Sequence, residues 1–572
     1  MIKNEIIFWS LFLIFNYLQF LPNYIFNYQE SDILPYLDKF RGRKIGFFAS
    51  VNMDFFRYLI DVSILIFLVK FKIAFFPVQL VIIYYLLLFI FNFYHQLFWT
   101  IYEVYPVIYN DWSLMKTGLA ILWRESKIKL ILSIITGVLI LSIIYLIFSW
   151  YLNFVIRSTY SIYDVIVSAI FIIIFTLSIF RFNIRQKNQL PYSDRILRFI
   201  VGFSRIYFNI KLSLELSEQE LRIKSLKIDK LRKQPQFSLK HRPNIYFLFI
   251  ESYGSILLQH EEMLVDFKKI YEKFEKDLTN NNWKIISNLS KAPSSSAFSW
   301  LCYSTFFYGY NISQHAHYER FLKNPIFYRS DNLLRIFNNQ GYTTYFLNPI
   351  RPNPKIKIDY TYLTPFYAID QWILYEQLNY SGDRYGYGDF PPDQYSINRA
   401  REIIEKNNPN PYILFFLTKN SHSPFVCPDK LIEDWKVLNH SYGKSNYGGG
   451  FLQRPTVRNY IKAMQYQLEV MGDFIINTAS KDDIYFIIGD HQPPVLNKRE
   501  KSGLNTPVHI IAKDSHFLEG FIEYGFRESL FDDSLNPVRH ESMFSAILRE
   551  FIKNYSSGYT KLPDYEPYGL QI

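Results

Sequence analysis

Four short stretches of this 572-residue chain carry side chains that could do chemistry together. They are "FIES" with Glu251, "PSSSAFS" with Ser294, Ser295 and Ser296, "NSHSPF" with His422, and "FIIGDHQPP" with Asp490 and His491. Carboxylate oxygens and an imidazole suit Zn2+ or Mn2+, and three protein donors leave a coordination position open for a reacting group. A serine beside such an ion is activated as a nucleophile, and the amides at a helix start stabilise phosphate charge. Each stretch also has a plainer reading. Asp490 and His491 sit between Gly489 and Pro493 and would suit an exposed turn, while a serine ahead of an apolar helical stretch is commonly a cap.

The functional reading requires elements that bring distant stretches to one place. From Asn244 onward, short apolar runs alternate with amphipathic helical stretches: "IYFLFIES", "LLRIFNNQGYTTYFL", "YSINRAREIIEKNNPNPYILFFLT", and "RNYIKAMQYQLEVMGDFI" leading into "DIYFIIGDH". Repeated α-then-β units with continuous apolar strands predict an α/β domain with a mainly parallel sheet covered by helices on both faces. In such a sheet ligands bind at the carboxyl ends of the strands, where Glu251, His422, Asp490 and His491 all fall. The same logic leaves His509, in "TPVHIIA", inside a strand, and His540, in "NPVRHESMF", is assigned to the scaffold with it.

The first third of the chain differs in kind. Ile6–Gln29, Ile73–Tyr102, Leu130–Ile156 and Val165–Phe180 are uncharged and apolar, near or above the ~20 residues a spanning helix needs. Val51–Val69 is a fifth candidate, in which Arg57 and Asp61, four apart, can pair on one helical face. We therefore expect an α-helical membrane domain of about five spans over residues 1–185, a basic juxtamembrane linker over 186–243, and the α/β domain over 244–572. The first stretch lacks a small-x-small cleavage site and reads as an uncleaved anchor. Lys70 and Lys72 suit a cytoplasmic loop, whereas Lys39, Arg41, Arg43 and Lys44 fall in a loop on the opposite side. With an odd number of spans and the N-terminus inside, the α/β domain lies outside the cytoplasm. The helical pattern "LSLELSEQELRIKSLKIDKLRKQ" fits a solvated linker helix that also rests on acidic headgroups, in keeping with a formal charge of +11. No nucleic-acid reader motif accompanies these basic residues. Cys302 and Cys427 allow at most one disulfide and exclude a Cys-rich zinc site.

The ordered set Glu251, "PSSSAFS", "NSHSPF" and "GDH" resembles the membrane-anchored transferases of the alkaline-phosphatase/sulfatase superfamily, which include lipoteichoic acid synthases and lipid A phosphoethanolamine transferases. The resemblance covers the α/β domain and the five-span anchor. It implies one divalent metal, Zn2+ or Mn2+, held by Glu251, Ser296, Asp490 and His491, with Ser296 as nucleophile. Ser296 is preferred within its run because the family has a serine three residues after the nucleophile, where Ser299 stands here. Serine replaces the family's threonine, and Ser294 and Ser295 stay open as alternatives. The resemblance further implies substrate-binding roles for His422 and Arg351, the latter in "LNPIRPNP". The partners it implies are a phospholipid donor and a glycan or glycolipid acceptor, at a bacterial inner membrane with the catalytic domain on the periplasmic or extracellular side. Ala292 stands where phosphoethanolamine transferases carry the first cysteine of a bracketing disulfide.

Two other readings compete. A sulfatase would need a modifiable Cys or Ser followed by x-Pro-x-Arg, which the serine run lacks, and a phosphatase would need further metal ligands. A membrane protein that kept the fold to bind acidic lipid should have lost metal ligands, whereas Glu251, Asp490 and His491 are all present.

Overall fold

Helices cover most of the described residues of the stretches where the sequence predicts spans. The computed structural model describes residues 2–26, 60–73, 77–102, 106–125, 127–185, 201–224 and 236–570, apart from 329, 353–358, 387, 408–410, 447–455, 478–479, 481, 495, 497–502 and 560. In chain order the first helices are α1 (Ile2–Phe26), α2 (Ile60–Lys70), α3 (Val78–Tyr102), α4 (Ile108–Glu125), α5 (Lys127–Arg157), α6 (Ile162–Arg185) and α7 (Val201–Lys224). Residues 51–59, the basic loop at 39–44 and the Arg57–Asp61 pair lie outside the described residues, as does the linker beyond Lys224 up to 235. Among the described residues, two stretches are long and apolar enough to cross a membrane: Val78–Phe98 and Lys127–Arg157. Ile162–Leu177 is a shorter apolar stretch. The chain divides into two compact units, one of Met1–Ile101 with Tyr105–Ser217 and one of Glu218–Ile572 with Tyr102–Val104.

The first unit is held by aromatic packing. Phe15 packs against Phe148 and Tyr151, and Tyr85 stacks on Phe148 at 4.1 Å between ring centres. Its buried polar side chains bond across helices: Ser63 Oγ donates to Asn16 Oδ1 at 3.1 Å, and Gln19 Nε2 donates to the Tyr85 carbonyl at 2.8 Å. Lys70 at the end of α2 pairs with Asp164 at the start of α6, 3.5 Å apart and both buried.

The second unit is built on eight strands: β1 (Ile245–Ile250), β2 (Lys284–Lys291), β3 (Thr343–Asn348), β4 (Gln371–Leu374), β5 (Tyr412–Leu417), β6 (Ile484–Gly489), β7 (Asn505–Ala512) and β8 (Val538–Arg539). Their spatial order is β8-β2-β7-β6-β1-β5-β3-β4. The sheet is mixed rather than wholly parallel, because β7 runs antiparallel to both β2 and β6 while every other pairing is parallel. A parallel return needs a crossover of a dozen or more residues, usually helical. Residues 490–504 between β6 and β7 carry Asp490 and His491 instead, and no helix is described there.

β1, β5 and β6 are buried along their whole length, which explains why they read as unbroken apolar runs rather than alternating ones. On one face Tyr246, Leu248 and Ile250 join the core of α8 (Glu261–Asn280), α10 (Asp393–Asn407) and α11 (Val457–Ile476). On the other, Phe247 and Phe249 meet Phe306 and Phe307 of α9 (Ser299–Tyr308), which packs on α12 (His540–Tyr555). With both faces apolar, the polar residues of these strands are confined to their ends.

His509 lies wholly buried in β7, as its place in an apolar run predicts. Its Nδ1 lies 2.8 Å from Ser287 Oγ and its Nε2 3.1 Å from the Tyr253 hydroxyl, and burial pulls its pKa down to about 3. It is a neutral scaffold histidine. Gly489 closes β6 where a Cβ would stand 2.0 Å from the Tyr253 carbonyl oxygen and 2.9 Å from Thr506 Cβ. Because the nearest obstacle is backbone, Gly489→Ala is expected to lower stability by about 1–3 kcal/mol in denaturant titration. It should also displace Asp490 and His491 enough to reduce divalent-metal binding measured on the same preparation.

Candidate active site

β1 lies between β6 and β5, and Ile250 is in register with Gly489. Glu251 therefore emerges beside Asp490. The donor atoms of Glu251, Asp490 and His491 all lie within 4.8 Å of one another, and all three residues are buried. His491 Nδ1 is 2.8 Å from the Gln492 carbonyl oxygen, which can only accept, so Nδ1 carries the proton. Nε2 faces the carboxylates, 3.4 Å from Glu251 Oε1 and 3.3 Å from Asp490 Oδ2.

Two carboxylates facing one another in a buried space repel unless a cation joins them. Asp490 registers the conflict: burial first, and then the Glu251 charge, push its pKa up to about 7. Its Oδ1 accepts from the amides of Ser252 and His491, both at 2.7 Å, while its buried Oδ2 accepts no hydrogen bond. Burial also opposes the charge of Glu251, but His422, His491 and Lys419 hold its carboxyl below the usual range. Buried carboxylates, a tautomer-fixed imidazole and an orphaned oxygen fit a divalent cation.

The serine run follows β2, whose carboxyl end lies at the same edge. Gln492 donates its amide to the Ser295 carbonyl at 2.7 Å, tying this loop to the Asp490–His491 loop. The serines then separate. Ser294 Oγ donates to the Ala297 carbonyl at 2.5 Å, a bond local to the loop. Ser296 is buried. Ser299, the first residue of α9, places its hydroxyl 3.0 Å from Glu251 Oε2 and 3.3 Å from His491 Nε2. Ser252 and Phe298, which flank the cluster in sequence, have φ of 63° and 69°. Non-glycine residues enter this left-handed region at a cost of order 1–3 kcal/mol, and such strain gathers at functional sites.

His422 follows β5. Its Nδ1 donates to the Ser423 carbonyl at 2.8 Å, which leaves Nε2 as the nitrogen able to exchange a proton, and its charge acts on Glu251. Thr418 Oγ1 accepts the Glu251 amide at 3.0 Å, joining the β1 and β5 ends. Arg351 lies apart from these contacts: it is half-exposed, and its Nη1 is 3.0 Å from Asp389 Oδ2, which Arg384 also reaches at 3.0 Å. The cysteines are both free and buried. Reading the sequence for acids and imidazoles missed Lys419 and Asp393 and took Ser299 only as a positional marker. Lys419 stands two residues past the end of β5, and that position was the signal available for it.

Residues 284–521 match the sulfatase family model. No curated protein matches the chain. Among solved structures, the integral membrane protein lipooligosaccharide phosphoethanolamine transferase A of Neisseria meningitidis is 13% identical with a TM-score of 0.42, over 94% of this chain and 95% of that one. The lipoteichoic acid synthase LtaP of Listeria monocytogenes is 12% identical with a TM-score of 0.37, over 62% and 80% of the two chains. The phosphoglycerol transferase GacH of Streptococcus pyogenes, solved with sn-glycerol-1-phosphate, is 12% identical with a TM-score of 0.34, over 62% and 88%. The family match encloses Ser296, Arg351, His422, Asp490 and His491.

Proposed function

We propose that this protein is a membrane-anchored phosphotransferase that moves a phospholipid headgroup, phosphoethanolamine or phosphoglycerol, through a phospho-serine onto an envelope glycan or glycolipid. The observation that carries the reading is the convergence of Glu251, Asp490 and His491 beside the Ser299 hydroxyl at the head of α9. A lipid substrate is supported by α5, whose Leu132, Val138 and Leu146 are more than half exposed in a 31-residue apolar helix. Such a surface suits hydrocarbon and not water. We place the first third of the chain in a bacterial inner membrane as about five spans, with the α/β domain on the periplasmic or extracellular side.

Glu251, Asp490 and His491, with the nucleophilic serine as fourth donor, would hold Zn2+ or Mn2+. When bound, such an ion lowers the pKa of a serine hydroxyl and offsets phosphate charge. Ser296 Oγ attacks the phosphorus of the donor lipid. The bond from phosphorus to the diacylglycerol oxygen breaks, and that oxygen takes a proton from His422 Nε2 as the alcohol leaves. In the second step His422 takes the proton of an acceptor hydroxyl, the acceptor oxygen bonds to phosphorus, and Ser296 is regenerated. Arg351 helps to hold the anionic substrate when released from Asp389. The hydrogen bonds of Ser299 to Glu251 and His491 favour a second reading, in which Ser299 is the nucleophile and Ser296 lines the loop.

Two measurements test the proposal. In vesicles containing phosphatidylethanolamine or phosphatidylglycerol, the full chain should release diacylglycerol and accumulate a phosphopeptide spanning residues 292–308. Ser296→Ala should abolish both signals with the fold intact; if Ser299→Ala alone abolishes the phosphopeptide, the second reading replaces the first. Asp490→Asn and His491→Ala should each reduce bound metal by at least tenfold in elemental analysis. Saturating Zn2+ or Mn2+ at about 100 times its dissociation constant should stabilise the unmodified protein by about 2.7 kcal/mol. Full transfer by a chain freed of metal would defeat the proposal.

A further inference from the structure

The cluster at the sheet edge holds two carboxylates and two imidazoles, yet the group to be bound is an anion. Arg351 is half-exposed and already paired with Asp389. Lys419 is placed differently. It follows Thr418, whose hydroxyl accepts the Glu251 amide, and its carbonyl accepts the His422 amide at 3.2 Å. Its side chain is partly buried, in the combined field of Glu251, Asp393 and Asp490. Among the described residues its ammonium makes no hydrogen bond and no ion pair, whereas its backbone is fully committed. A partly buried cation without a counter-ion in contact is costly, and its presence beside an anion-processing cluster calls for a ligand.

The backbone commitment comes from Asp393, the first residue of α10. Its buried carboxylate accepts the Lys419 amide at 3.0 Å from both oxygens, the Asn420 amide at 2.7 Å and Gln467 Nε2 at 2.7 Å. Asp393 returns its own amide to Asn420 Oδ1 at 2.7 Å. Residues 418–422 are thus fixed through the main chain, independently of what the Lys419 side chain does. That clamp sets the direction in which the stem of Lys419 leaves the strand end shared with His422.

We propose that Lys419 is a further catalytic residue, whose ammonium binds a non-bridging oxygen of the phosphate undergoing transfer. The proposal rests on the phosphotransfer reading of the same site. A partly buried ammonium at this strand end stabilises charge that grows on those oxygens as the serine or the acceptor attacks. Its contribution falls on kcat as well as on binding, because the charge it meets is larger in the transition state.

The test uses the full chain in vesicles of phosphatidylethanolamine or phosphatidylglycerol, reading diacylglycerol release, with bound metal and thermal unfolding measured on every variant. Failure of the unmodified protein to release diacylglycerol from either vesicle defeats the phosphotransfer reading itself. Given activity, Lys419→Met should lower kcat/KM about 100-fold or more with metal content and melting temperature unchanged, and Lys419→Arg should recover at least tenfold. Lys419→Ala should be partly rescued by added ethylammonium, which a merely structural role would not allow. Activity of Lys419→Met within threefold of the unmodified protein overturns the assignment. So does a loss that neither arginine nor ethylammonium restores, or one that accompanies loss of metal.

Discussion

The mutual repulsion of the buried carboxylates of Glu251 and Asp490 is the constraint around which this domain is organised. Left alone, two buried carboxylates that both lie 3.3–3.4 Å from one imidazole nitrogen would move apart. They are prevented by what holds each from behind: Thr418 and Ser252 for Glu251, two backbone amides for Asp490, and the Gln492 carbonyl for His491. Every one of these partners lies at the end of a strand or in the loop that follows. The protein thus stores an electrostatic conflict that a divalent cation resolves, the ordinary preorganisation of a metal centre.

Maintaining that conflict needs a rigid frame, and the sheet supplies it by being dry on both faces. Aromatic rings wedge against β1 from both sides, so a shift of one strand end would disturb packing throughout the layer. Two glycines let loops approach where side chains would not fit. Gly489 lies under the Tyr253 carbonyl, and a Cβ on Gly254 would stand 2.0 Å from Gln492 Oε1. Gln492 in turn donates to Ser255 Oγ and to the Asn505 carbonyl and accepts from the Ile256 amide. One side chain therefore ties the loops after β1 and β6 to the start of β7, immediately behind the cluster.

The sequence made the acids and imidazoles legible because a strand buried on both faces must place its polar residues at its ends, and parallel strands bring like ends to one edge. Glu251, His422, Asp490 and His491 follow from that rule. The reversal of β7 was not legible, since an apolar run looks the same in either direction. The serine run resisted a different way. Ser294, Ser295, Ser296 and Ser299 have equivalent chemistry in sequence, and only the loop path, with Phe298 at positive φ, separates the hydroxyl turned into the loop from the one that meets Glu251. Lys419 and Asp393 escaped because their importance lies in pairing: a buried carboxylate that binds backbone rather than a cation, and a cation left without one. Neither fact has a signature in residue order.

Charge supplies the last step. Glu251 and Asp490 together balance a divalent cation, and in the proposed transfer the proton on His422 Nε2 balances the serine oxygen that attacks. With Lys419 charged, the loaded site then carries one net positive charge. That total matches a phosphodiester, which bears a single negative charge, and falls short of a phosphomonoester, which bears nearly two at neutral pH. A diester is the bond by which a headgroup is attached to its lipid. A site with one uncommitted cation is therefore better suited to taking a headgroup from a phospholipid than to hydrolysing soluble phosphate monoesters. The proposed phospho-serine would itself be a diester with the headgroup attached, so the same balance would hold through both steps.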